Sequence, residues 1–170
     1  MKPEHRKYAI FVVLGAISVA LDQWTKILAR ATLKPLGSYH AKPVIDGYFD
    51  LRYSENTGVA FGMLQQMPGG RYLLALIAAA AFGVVLYYVY KTGTGQLRLQ
   101  VALALVGGGA IGNLIDRIAF GRVSDFIVWR VGNHEWPAFN IADASLVVGV
   151  ILMAIDMLPG RKAAGADAQT

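Results

Sequence analysis

The sequence predicts an α-helical integral membrane protein, with four transmembrane helices and small extracytoplasmic β-sheet or hairpin elements. Three observations predict it. The 170 residues are 55% hydrophobic and 16% charged, with a mean hydropathy of +0.45, too apolar for an ordinary soluble domain of this length. A helix that crosses the hydrocarbon takes roughly 20 mostly apolar residues, and four stretches approach that length, at about 8–28, 72–90, 97–118 and 138–158. The segments at about 38–62 and 121–137 carry strand-like residues, and because open sheet edges are not tolerated in lipid they belong on a membrane surface.

No internal repeat or low-complexity tract divides the chain, so residues 1–170 form a single polytopic domain. There are no cysteines, which removes disulfides, thiol nucleophiles and thiolate metal sites. The net charge of +5 is scattered, without the basic stripe that nucleic-acid binding needs. The first span opens like a secretory signal, "MKPEHRKYAIFVVLGAISVA", but "LDQWTKILAR" continues the helix without a small-residue cleavage site, so it reads as an uncleaved anchor. The final "RKAAGADAQT" reads as a frayed tail.

Four spans return the chain to its starting side. Lys2, Arg6 and Lys7, then Lys91 and Arg98, then Arg161 and Lys162 lie close to the apolar ends on that side, which predicts cytoplasmic termini. The raw count of basic residues does not favour either face. Only their density beside the spans does.

In "KPVIDGYFDLRYSENTG", Asp46 and Gly47 sit between β-branched and aromatic residues and predict a tight hairpin. "GRVSDFIVWRVGNHEWPAF" has a turn candidate at Gly132 and Asn133. On the third span, Gly108 and Gly112 are spaced for close helix approach. Asn113 and Arg117 follow at i, i+4 and share a helix face.

Ionisable groups at membrane depth are rare because desolvation is costly, so each is a functional candidate. Asp22, Lys26, Asp116, Arg117, Asp125 and Asp143 fall near the outer boundary. Asp22 and Lys26 form an i, i+4 pair, read equally as self-neutralising or as ordering a loop or substrate main chain. Asn140, after Pro137, is a natural N-cap. Capping does not account for Asp143, three residues on, whose alternative reading is a first-turn acid that complements the helix dipole. Asp156, thirteen positions past Asp143 and so roughly 20 Å along a helix, reads as an interfacial charge at the cytoplasmic end.

Elimination narrows the chemistry. His5, His40 and His134 lack metal-ligand spacing, and "HEWPA" has no second histidine, which argues against zinc hydrolysis. Ser124 or Ser145 with Lys26 as base lacks any nucleophile-elbow signature. Carboxylates remain. Two that share one proton can hydrolyse a peptide without metal or cofactor, the ionised one activating water and the protonated one donating to the carbonyl. Spacing alone leaves open which two of Asp22, Asp116, Asp125 and Asp143 pair.

The chain resembles the lipoprotein signal peptidases (signal peptidase II) of bacteria over nearly its whole length. The likeness is carried by "LDQWTK" (21–26), "ENTGVAFG" (55–62), "GGAIGNLIDR" (108–117), "GRVSDFI" (121–127) and "FNIADA" (139–144). It implies an aspartyl endopeptidase of the inner membrane that cuts a diacylglyceryl-modified prolipoprotein just before its lipidated cysteine. By the same resemblance the catalytic pair is Asp125 and Asp143. Asp22, Lys26, Asn56, Asn113, Arg117 and Asn140 bind substrate or support the pair, and Gly108 is counted with them although packing alone explains it. Asp116 is left as structural. No cofactor or metal is expected, and the partners are the prolipoprotein and membrane lipid, with a monomeric enzyme whose site lies near the periplasmic face. The resemblance also implies a cradle of outer strands and a mobile loop, here carrying Gly47, Gly58 and Gly62. Two other classes compete, a small transporter or channel with an ion path and a non-catalytic scaffold held by ion pairs.

Overall fold

A computed structural model describes residues 2–58 and 69–158. Gly62, Arg161, Lys162 and the C-terminal tail lie outside the described residues, and with them part of the expected loop and of the charge pattern. The chain runs through helix α1 (Pro3–Thr32), a short 3-10 turn (Lys34–Leu36), strands β1 (Lys42–Ile45) and β2 (Phe49–Asn56), and helices α2 (Gly70–Lys91) and α3 (Leu97–Phe120). Strands β3 (Val123–Val131) and β4 (His134–Glu135) precede helix α4 (Ile141–Met157).

Among the described residues, three helices are long and apolar enough to cross a membrane, Glu4–Leu36 with its 3-10 extension, Tyr72–Lys91 and Leu97–Phe120. The fourth, α4, has 17 residues, about 26 Å at the helical rise. Two expected boundaries shift. α1 begins at Pro3, a residue suited to the first helical turn. It runs to Thr32 because Lys26 and Arg30 are satisfied by Asn113 and Asp116 of α3, and Asp22 by Lys26 and the Ala142 N–H of α4, rather than by water. α4 starts at Ile141 and not near 138. Phe139 is instead held against β3, its N–H donating to Ile127 O at 3.0 Å and its carbonyl accepting from Ile127 N–H at 2.9 Å.

α3 is the central helix, packed against α1, α2 and α4. Its glycines make this possible. A Cβ on Gly109 would lie 2.5 Å from the Ala142 carbonyl oxygen, and one on Gly112 would lie 2.6 Å from Asp22 Oδ2. The outward faces of α1 and α2 expose Val12, Val13, Ile17, Leu76 and Val84, as hydrocarbon-facing helices do, and α4 exposes Ile151. Lys7, expected simply as an inner-face charge, is buried. Its ammonium donates to Tyr90 O at 2.8 Å and Thr92 O at 3.0 Å, closing the C-terminal end of α2.

The two outer segments combine into one antiparallel sheet of order β1-β2-β3-β4. Both predicted turns are present, with Gly47 at φ 78° and Gly132 at φ 57°, where a side chain would be strained. The β2–β3 register sets Ser54 opposite Asp125 and Asn56 opposite Val123. Side chains alternate along β3. Ser124 and Phe126 turn toward α1, where Phe126 joins a core of Ala29, Leu33 and Tyr53. Asp125, Ile127 and Trp129 take the opposite face, and the latter two line an apolar groove of about 660 Å³ that reaches Phe139 and Ala144 beside Asp143.

Candidate active site

Three elements meet at the head of α4. Asn140 caps that helix reciprocally, its Oδ1 accepting from Asp143 N–H at 2.9 Å while its own N–H donates to Asp143 Oδ2 at 3.2 Å. The Asn140 side-chain amide also reaches β3, donating to Asp125 Oδ1 at 2.7 Å and to Asn113 Oδ1 at 3.1 Å. One buried asparagine therefore holds both carboxylates. Asp125 receives a second bond on Oδ2 from Asn56 Nδ2 at 3.1 Å, and Asn56 is itself anchored by Gly58 N–H on its Oδ1. Asp143 receives its second from Asn113 Nδ2 at 2.7 Å.

Behind this amide layer lies a compact group of charges. The fully buried Lys26 ammonium donates to Asn113 Oδ1 and Asp22 Oδ2, each at 2.9 Å, and lies 3.4 Å from Asp116 Oδ2. Those are three partners for three N–H donors. Asp22 Oδ1 accepts from Ala142 N–H at 2.9 Å, a free donor of the first turn of α4, so α1 caps the helix that carries Asp143. Asp116 does the same for β3, its Oδ2 accepting from Ser124 N–H at 3.0 Å while Arg30 lies 3.3 Å from its Oδ1. Formal charges in the group balance, two cations against two carboxylates.

Asp125 is 3% exposed. Burial, with the neighbouring Asp143 charge, pushes its carboxyl up to about 7 against the opposing bonds from Asn56 and Asn140. A carboxyl titrating there can hold a proton near neutral pH and give it up on demand.

The structure thus gathers Asp125, Asp143, Asn56, Asn113, Asn140, Lys26 and Asp22 into one hydrogen-bonded network. Arg117 donates back along its helix to Asn113 O at 3.3 Å and acts on Asp143, Asp125 and Asp116 through charge. Gly108 is not among them. A Cβ there would meet Ser18 Cβ at 2.7 Å and Gly15 O at 3.0 Å, placing it in the α1–α3 contact. Asp156 sits far along α4, half-buried. Neither serine meets the lysine: Ser124 Oγ accepts from Arg30, and Ser145 pairs with Ser18 and Ile141 O.

Arg30 and Gln23 are partners that the sequence reading passed over, and Ser124, weighed there only as a nucleophile, is a third. Arg30 continues the four-residue spacing of Asp22 and Lys26 and was visible in that period. Gln23, which bonds Asp22 Oδ2 and Gly112 O at 3.0 Å each, carries no such signal. Asp50 of β2, 2% exposed and paired with Arg130, was likewise not anticipated. Among the described residues no three His, Asp or Glu side chains gather to hold a metal ion.

Fold and site together define a helical membrane protein whose polar centre is a pair of carboxylates, Asp125 buried and Asp143 half-buried, where the bundle meets its sheet. Residues 14–159 match the family model described as signal peptidase (SPase) II. Lipoprotein signal peptidase of Xanthomonas axonopodis pv. citri is 42% identical over 147 residues, covering 86% of this chain and 84% of the relative. That of Syntrophus aciditrophicus is 38% identical over 156 residues, 90% and 94% of the two chains. A solved structure described as a bacterial membrane enzyme, determined by the in meso method at 2.3 Å resolution, superposes with a TM-score of 0.78 at 30% identity, covering 94% of this chain and 92% of its own. A second of the same description, at 1.9 Å, gives 0.78 at 32% identity. The chain belongs to the signal peptidase II family and is a protease.

Proposed function

We propose that this protein is an aspartyl endopeptidase that removes the signal peptide from diacylglyceryl-modified prolipoproteins, cutting before the lipidated cysteine. Asp125 and Asp143 activate the water and polarise the scissile carbonyl. The single observation that carries this reading is that Asn140 hydrogen-bonds both carboxylates at once. Two acids so tethered repel a second negative charge and favour a shared proton.

Other roles follow from the same contacts. Asn56, Asn113 and Asn140 hold the pair, Asp22 and Lys26 hold the asparagines and the α4 terminus, and Arg117 supplies a positive field beside both acids. The apolar groove past Ile127 and Trp129 offers a path for substrate next to Asp143, with acyl chains kept in lipid. α4 is read as a fourth span, with both termini cytoplasmic, the enzyme monomeric in the inner membrane, and the site near its periplasmic face. A transport path is less well supported, because buried Asp22, Lys26 and Asp116 satisfy one another at one end of the bundle and buried Lys7, at the other end, is taken up by the Tyr90 and Thr92 carbonyls.

The test is cleavage of a diacylglyceryl-modified prolipoprotein by Asp125→Asn and Asp143→Asn proteins, with Asp156→Asn as control. Either dyad change abolishes turnover in a folded protein, and the control keeps it. Near-normal cleavage by Asp143→Asn would overturn the mechanism.

A further inference from the structure

The two carboxylates of the site receive equal numbers of hydrogen bonds but are not equivalent. Asp143 accepts from Asn113 Nδ2 and Asn140 N–H, and Asp125 from Asn140 Nδ2 and Asn56 Nδ2. What differs is what stands behind each donor.

An asparagine amide can face a carboxyl group with either end. Its N–H₂ stabilises the ionised form, whereas its oxygen stabilises the protonated one. At Asn113 the choice is fixed, because Lys26 carries only donors and its ammonium, 2.9 Å away, takes the oxygen. The Asn113 nitrogen is left to Asp143. The amide is also polarised in the direction that strengthens its N–H donation. Among the described residues Asn56 has no cation behind it. Its oxygen is held by the backbone N–H of Gly58, and its partner Asp125 comes from a strand rather than from a helix terminus. Asp143 lies in the first turn of α4, where free N–H groups favour negative charge.

Resting on the aspartyl-protease reading above, we propose that Lys26 and Asn113 are positioning residues that break the symmetry of the dyad, keeping Asp143 as the standing carboxylate and leaving the shared proton on Asp125. The charged groups facing the pair are Lys26, Asp22 and Arg30 from α1 and Asp116 and Arg117 from α3. From the sheet come the dyad's own Asp125 and, beside Asn56, Glu55, which is paired with Lys34 and Arg122. Asp22, Asp116 and Glu55 each have a cationic partner, so the Lys26-to-Asn113 bond is the directed polar link from this set to one member of the dyad.

The assignment gives each acid one task. Asp143 takes a proton from the water as its oxygen bonds to the scissile carbon, while Asp125 gives its proton to the carbonyl oxygen as the π bond opens. On collapse, Asp143 returns its proton to the leaving nitrogen as the C–N bond breaks. A diol hydroxyl passes its proton back to Asp125 as the new carboxyl group forms. The enzyme ends in its starting state.

The test is the pH dependence of kcat/KM for cleavage of a diacylglyceryl-modified prolipoprotein by the full-length protein. The pair titrates as a unit, with an acid limb for the first ionisation and an alkaline limb for the second. Asn113→Ala removes the support for Asp143 and keeps Lys26 paired with Asp22 and Asp116. It moves the acid limb up by about one pH unit or more and lowers kcat about 100-fold, with KM little changed. Asn56→Ala moves the alkaline limb up and leaves the acid limb in place. The double variant Lys26→Met/Asp22→Asn, which leaves Asp116 paired with Arg30 and strands no carboxylate, reproduces the Asn113→Ala shift. Exchange of the two limbs between Asn113→Ala and Asn56→Ala, or limbs that stay fixed while activity follows thermal stability, would overturn the proposal. In either case dyad-dependent cleavage by the wild type would leave the aspartyl-protease reading standing. Turnover that survives both Asp125→Asn and Asp143→Asn would instead remove that reading.

Discussion

Asn140 and Asp143 exchange hydrogen bonds in both directions, side chain to backbone at 2.9 Å and backbone to side chain at 3.2 Å. The motif is a capping box, ordinarily a local device for starting a helix. Here the asparagine has both side-chain N–H donors left over, and one goes to Asn113 Oδ1 at 3.1 Å while the other reaches Asp125 at 2.7 Å. A helix cap has become the bridge of a two-acid centre.

The two duties of Asn140 predict unequal losses. Asn140→Ala gives up an N-cap, worth about 1 kcal/mol of stability, which lowers the melting temperature by a few degrees. It also frees Asp125 from Asp143 and lowers kcat/KM about 100-fold or more. Thermal melts and cleavage assays on one preparation check this, and a loss of activity no larger than the loss of stability explains would contradict it.

Much of this site was legible in the sequence and part was not, for a physical reason. Apolar runs and Asp-Gly or Gly-Asn turns are local signals, so the helices, the β1–β2 hairpin and the β3–β4 turn were predicted close to where they occur. The start of α4 was misplaced because Phe139 is committed to Ile127 across the sheet, a contact no local pattern encodes. Spacing could not rank Asp22, Asp116, Asp125 and Asp143 for the same reason. All four are carboxylates beside apolar segments, and what separates them is tertiary. Among the described residues, Asp22 and Asp116 meet Lys26, whereas Asp125 and Asp143 meet amides and backbone N–H groups alone.

The burial of Asp125 predicts a pH-dependent stability with a definite sign. Its carboxyl has an ordinary value of 3.8 and is raised to about 7 in the folded protein. Between those values the folded state binds the extra proton, so stability is greatest at the acid end and is lost as pH rises through 7. At about 1.4 kcal/mol per unit, the loss amounts to at most about 4 kcal/mol. Asp125→Asn removes this dependence. Its melting temperature, relative to wild type in the same detergent, climbs between pH 4 and pH 8. A constant difference across that range would count against the proton being held there.

Gly112 predicts a contrast between two glycine substitutions. A methyl at Gly112 would lie 2.6 Å from Asp22 Oδ2 and 3.1 Å from Ala142 Cβ, whereas one at Gly83 meets nothing within 4 Å. Asp22 cannot retreat without releasing Lys26 and the Ala142 N–H. Gly112→Ala therefore destabilises the protein by about 1–3 kcal/mol and lowers activity, while Gly83→Ala changes neither. Melting temperature and turnover of the two proteins decide it.

Lys7 predicts a loss of stability without a loss of chemistry. Its ammonium closes the end of α2 through Tyr90 O and Thr92 O, beside Gln100, whose amide nitrogen takes Gly93 O at 2.9 Å and Thr94 O at 3.2 Å. Replacing it by methionine keeps the apolar stem and strands two carbonyls, each of which carries a penalty of about 1–3 kcal/mol when buried. Lys7→Met therefore melts several degrees lower, whereas Lys2→Met, at an exposed position, melts with the wild type. Because Lys7 lies roughly 28 Å along α1 from Lys26, kcat in the folded Lys7→Met protein stays within about twofold of wild type, since substitutions remote from a site act independently of it. A fall in kcat with an unchanged melting temperature would mean that the α2–α3 connection communicates with the dyad, and would contradict a purely structural role for this lysine.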